Sequence, residues 1–147
     1  MKSAHSADVR SELVERVNRL EPGTPAKWGK FTAPRMVCHL SDSLRMAIGD
    51  LDVASKNLPV RFFPLKQLLI YMVPMAKGLP TAPELIARTT DAWAGELEEF
   101  ATLLATFARH PQSAPWPDHP AFGRMSRNDW GVLVYRHSDH HLRQFGV

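Results

Sequence analysis

The chain of 147 residues contains one cysteine, Cys38, so no internal disulfide framework can staple it. It also lacks a long apolar run. The longest, LLIYMVPMA (68–76), is broken by Pro74 and is far too short to span a bilayer. No dense basic tract exists. Eighteen Lys and Arg are scattered among fifteen Asp and Glu, as in RSELVER (10–16) and GELEEF (95–100). That mixing argues against nucleic acid as a partner. The N-terminal stretch MKSAHSADVRSELVERV is polar and has no apolar signal core. No segment alternates like an exposed strand, and there is neither an internal repeat nor a low-complexity stretch. These absences lead to the expectation of a cytoplasmic chain with no membrane or nucleic-acid partner. The run at 68–76 is left as a surface that could cover a neighbouring subunit.

What is present fits a single domain over residues 1–147. Apolar residues make up 44% and charged ones 22%, an ordinary globular balance with enough length for a sizeable core. Four stretches read as helices. The first covers 7–20, where Val9, Leu13, Val17 and Leu20 form one stripe, and EPGTP (21–25) ends it. The second begins after Thr32 as N-cap, with Pro34 in its first turn. Met36, Val37, Leu40, Leu44, Ala47 and Ile48 form its apolar side, and Gly49 closes it. The third is expected over 83–108, with Ile86, Thr89, Trp93, Leu97, Phe100, Leu104 and Phe107 at three-and-four spacing. The fourth starts at SRND (126–129), where Ser126 and Asp129 resemble a capping box, and runs to the C-terminus. Between the second and third lies a proline-bearing connection, 51–82, with a short helix expected near 65–73. A connection this long suits a crossover that makes its flanking helices parallel. The fold class expected is all-α, a four-helix bundle.

Three of the seven histidines fall in the last eleven residues, HSDHHLRQFGV. On a helical wheel Trp130, Val134, His137, His141 and Phe145 lie within about 80° of one another, so His137 and His141 occupy core-facing positions. His140 falls on the flank. Two imidazoles at i and i+4 present their nitrogens to one place, which suits two ligands of one metal ion. The pair alone is equally read as one core histidine bonded to a carbonyl beside surface histidines. A third ligand would be His39, at the edge of the second helix's stripe; three protein ligands would leave a position open for water or substrate. His119 could line the mouth of such a site. Gln144 could hydrogen-bond a ligand or substrate, or stand exposed near a frayed end. Arg136 and Arg143 fall on the outer face and are expected to be solvated. Cys38 points about 100° away from His39 and reads as a buried inert thiol.

The segments WGKFTAPRMVCHLSDSLRMAIG (28–49), HPAFGRMS (119–126), DWGVLVYRH (129–137) and DHHLRQFG (139–146) resemble the DinB/YfiT-like superfamily of metal-binding four-helix bundles, and within it an uncharacterised bacterial subgroup. The resemblance extends from about residue 10 to the end. It implies a left-handed bundle in up-down-down-up order. It also implies a divalent metal, Zn or Ni, on His39, His137 and His141. Many members of that superfamily dimerise, which gives the expectation of a homodimer. Some are thiol transferases acting with low-molecular-weight thiols such as bacillithiol or mycothiol. The functional expectation is therefore a metal-dependent enzyme on a small molecule, by thiol transfer or hydrolysis. The alternative is a non-catalytic bundle, with a structural metal or none, serving as a binding or dimerisation module.

Overall fold

A computed structural model describes residues 1–111 and 113–147. The chain is all-helical: α1 (Ala7–Val17), α2 (Ala33–Ile48), α3 (Leu65–Tyr71), α4 (Trp93–Arg109) and α5 (Arg127–Gln144), with 3-10 turns at Pro59–Arg61 and Pro83–Leu85. Among the described residues no strand forms; His119 and Gly123 make one isolated bridge.

Local chemistry sets the helix ends. The Thr32 hydroxyl accepts from the Arg35 amide and Pro34 sits in the first turn of α2, while Gly49 ends that helix in the left-handed region at φ +87°. Ser126 and Asp129 form a reciprocal capping box at the start of α5. Helix α1 stops at Val17, three residues short of the expected end, and Leu20 is buried from the turn beyond it.

The larger difference lies before α4. Residues 83–92 were expected to open a helix and do not: a 3-10 turn ends at Leu85, and α4 begins at Trp93. Tertiary bonds hold this stretch open. The Leu85 carbonyl accepts from His39, the Ile86 carbonyl accepts from Arg35, and Arg88 reaches Asp42 and Glu96. A continuous helix would turn those carbonyls into its own ladder, and Thr89 and Thr90 offer little propensity to oppose the pull. Ile86 and Thr89 therefore leave the helical stripe.

One apolar core runs from Ala4 to Phe145 and draws on all five helices. Helix α2 is its centre, with eleven of sixteen residues buried, and it packs most extensively against α4. Helices α1, α2 and α3 each also pack against α5. The N-terminal segment closes over α5: the Ala4 amide donates to the Gly131 carbonyl and the His5 ring stacks on Phe107. A Cβ on Gly131 would come within 2.3 Å of Ser3 Oγ, so only glycine admits this approach. No helix is long and apolar enough to cross a membrane among the described residues.

Candidate metal centre

His39, on α2, and His137 and His141, on α5, each bring one ring nitrogen to a common point, and these atoms lie within 4.8 Å of one another. The rings form a near-regular triangle. All three centroid separations are 4.8 Å, and the rings stand at 78°, 77° and 86° to one another. His39 is buried, and His137 and His141 are partly buried.

Hydrogen bonds on the far side of two rings fix which nitrogen faces the centre. His39 Nδ1 lies 2.9 Å from the Leu85 carbonyl oxygen. A carbonyl only accepts, so Nδ1 carries the proton and Nε2 is bare. Gln144 does the same for His141. Its Nε2 donates to the Trp28 carbonyl at 2.6 Å, which orients the amide so that Oε1 faces His141 Nδ1 at 2.9 Å. His141 Nδ1 therefore donates and its Nε2 is bare. Gln144 is itself buried at 4% exposure, so of the two expectations for it the bonding role is the one realised, and the frayed exposed end is not. Gly29 makes room for this arrangement: at φ +79° a Cβ would lie 2.5 Å from Gln144 Nε2.

His39 Nε2 and His137 Nε2 are 3.0 Å apart. Two bare nitrogens at that spacing repel unless one ring carries a proton there or a cation lies between them. Tetrahedral Zn with nitrogen ligands at about 2.0–2.1 Å needs neighbouring nitrogens about 3.3 Å apart, close to this spacing. Burial is the main force holding all three rings neutral. It lowers His39 against the opposing pull of the Leu85 carbonyl and Asp42. Burial, followed by the neighbouring histidines, puts His137 well below the usual histidine range. His141 is lowered to about 3 by burial and then by His39. Neutral imidazole with a bare nitrogen is the form that ligates a metal, and the donor set fits a divalent cation.

The remaining expectations sort clearly. His140 stands beside the triangle, with its ring edge-on to His141 at 5.2 Å and to Trp28 at 5.9 Å; it does not contribute to the convergent nitrogens. His119 serves its own turn. Its Nδ1 accepts from the Ala121 and Phe122 amides, and its ring packs on Phe122 and Trp130. Cys38 is fully buried, and burial with Glu96 nearby pushes its thiol up to about 11, as an inert thiol requires. Arg136 corrects the sequence reading. Instead of being solvated, its guanidinium donates to the carbonyls of Leu69, Ile70 and Val73 and clamps the end of α3 onto α5.

Three contributors escaped the sequence reading. Phe31 stacks on His39 at 5.2 Å and meets His141 edge-on at 5.6 Å, forming an apolar wall. Leu85 supplies a carbonyl from a segment expected to be helical. Asp42, one turn from His39, forms a buried network with Arg88, Arg45 and Glu96 behind α2. Phe31 did leave a signal, since it immediately precedes the N-cap, where an apolar residue packs back onto its own helix. No curated protein and no solved structure matches the chain. The family described as Protein of unknown function (DUF1569) matches residues 5–146, and the chain belongs to that family.

Proposed function

We propose that His39, His137 and His141 hold one divalent metal ion, Zn or Ni, and that the chain uses this site on a small molecule, by thiol transfer or hydrolysis. The observation that carries the reading is the triangle itself: three rings at equal spacing, with the outer nitrogens of two of them already engaged. One proton between His39 and His137 would satisfy that pair in a purely structural cluster, but such a cluster has no need of the outer bonds that also turn His141 Nε2 bare toward the same point. A divalent cation held there favours the anionic form of a thiol or a water, which either reaction requires.

The chain's own groups prepare the site. Leu85 and Gln144 set the tautomers of His39 and His141, and such outer partners also fix ring orientation. Phe31 covers one side with apolar surface and limits water. Among the described residues three protein donors converge, which leaves room for an exchangeable fourth. We also read the arrangement of α1, α2, α4 and α5 as a DinB-like bundle in up-down-down-up order. The 44 residues between α2 and α4 give ample chain for the crossover that this order needs.

The test begins with metal analysis of tag-free protein. About one divalent ion per chain is expected, and His137→Ala should abolish it. Cobalt substitution then separates a working site from a structural one. Adding a low-molecular-weight thiol should produce a sulfur-to-cobalt charge-transfer band. A metal-bearing protein whose cobalt spectrum ignores both thiol and pH would establish the non-catalytic module instead.

A further inference from the structure

Among the described residues, every large apolar side chain left exposed, apart from Met1, falls between residues 58 and 79. Phe62, Phe63 and Met72 are the most open, at 64%, 82% and 73% exposure. They form a surface and are not scattered. The Lys66 amide donates to the Phe62 carbonyl and the Leu68 amide to the Pro64 carbonyl, so helical turns begin ahead of α3. Leu65, Leu68 and Met72 then follow one another at three and four residues along α3 and its end, which is a single stripe, and Phe62, in extended backbone, and Phe63 precede it. Ile70, on the opposite side of α3, is fully buried.

This segment is held from its inner side by polar latches. Arg136 binds three of its carbonyls. The Tyr71 hydroxyl donates to Asp129 at 2.6 Å and accepts from Asn128, and Lys66 Nζ donates to the Arg124 carbonyl. The outer stripe contributes nothing to these attachments, so its apolar character is unexplained by the fold. Contiguous exposed apolar surface on a fixed platform marks a contact site.

Charge identifies what it contacts. Residues 53–82 contain Lys56, Arg61, Lys66 and Lys77 and no Asp or Glu, whereas the rest of the chain has fourteen basic and fifteen acidic residues. The whole positive balance of the protein is therefore on this segment. None of the four cations makes an ion pair with a described residue. Lys56 is exposed, Arg61 bonds neutral Asn57, Lys66 Nζ bonds the neutral Arg124 carbonyl, and the exposed Lys77 Nζ lies 4.2 Å over the Trp28 ring, so no described carboxylate neutralises any of them. A second copy of the chain applied to this face would set four cations against four. A surface both apolar and anionic satisfies the two features together.

We propose that the outer face of α3 and the turn before it, centred on Phe62, Phe63 and Met72 and carried by a segment whose only charges are Lys56, Arg61, Lys66 and Lys77, docks on the surface of an anionic phospholipid bilayer. Aromatic and aliphatic side chains enter the boundary between headgroups and acyl chains, while lysine and arginine stems lie along it and place their charges among the phosphates. The expectation of no membrane partner came from the lack of a spanning run, and a surface contact needs none.

The experiment is co-sedimentation of the intact protein with vesicles of phosphatidylcholine alone and of an equimolar phosphatidylcholine–phosphatidylglycerol mixture. Binding to the anionic vesicles alone is expected, weakening as sodium chloride is raised. Phe62→Ser with Phe63→Ser should weaken it by about tenfold or more, while the circular dichroism stays that of the parent. Lys56→Glu, at an exposed site where folding is not at stake, should weaken it by roughly tenfold. Failure to pellet with anionic vesicles, or equal binding to both compositions, overturns the proposal. So does a concentration-dependent dimer in analytical ultracentrifugation that the Phe62/Phe63 variant converts to monomer, since that assigns the face to a second copy.

Discussion

Helix α2 and helix α3 are both rich in apolar residues, yet they meet solvent in opposite ways. Helix α2 buries eleven of sixteen residues, including polar His39, Ser41 and Asp42, whereas α3 buries only Ile70. The central helix hides polar groups, of which His39 and Asp42 have been given partners. The peripheral one shows apolar groups that have none. Buried polarity costs free energy unless satisfied, and exposed apolar surface is tolerated at little folding cost, so each region departs from the simple inside–outside rule in its own way.

The sharpest way to break this contrast is to make one substitution in both regions. Phe100→Ala, in the core against α2, should lose about 3–5 kcal/mol in denaturant unfolding. Phe63→Ala should change stability by no more than about 0.5 kcal/mol. Comparable losses at the two sites would mean that the outer stripe is part of the fold.

Next in size is the network behind His39. Removing the guanidinium in Arg88→Met leaves the buried carboxylates of Asp42 and Glu96 facing each other with less compensation. Since Arg88 is itself partly exposed, the expected loss is about 2 kcal/mol, read from thermal unfolding. Glu96, held below the usual carboxylate range by Arg88 and Ser41 despite its burial, should rise in that variant.

Gln144→Ala should lower metal affinity by about 10–100-fold in a competition titration, because His141 loses the acceptor that fixes its tautomer. An unchanged affinity would show that the site does not depend on that partner.

The last test concerns acid. His119 is lowered to about 4 by burial, and its Nδ1 must stay unprotonated to accept from two amides. In the unfolded chain the ring takes a proton near pH 6.5. Protonation therefore favours the unfolded state, and stability falls as pH drops from about 6.5 toward about 4, by up to about 3 kcal/mol. His119→Asn keeps an acceptor for the turn and cannot titrate, so equilibrium unfolding against pH should show a shallower slope.

Much of this architecture was legible because its signals are local. Thr32, Pro34 and Gly49 frame α2, Ser126 and Asp129 open α5, and the spacing of His137 and His141 puts both on one side of a helix. His39 was legible only as an edge position, but that edge is where the third ring stands. The segment 83–92 was not legible. Its conformation is decided by Arg35, His39 and Asp42, some fifty residues away in sequence, and helical spacing cannot register bonds made across the fold. Arg136 was misjudged for a related reason: its position on the wheel was right, but the wheel carries no information about a short helix lying over that side.

Arg136 and His137 are consecutive, and they face in different directions from the same turn of α5. One grips the backbone of α3 and the other belongs to the histidine triangle. A load applied to the outer platform thus enters α5 beside a ring of the cluster. The anchor of α3 and one ring of the cluster are borne by neighbouring residues of a single helix.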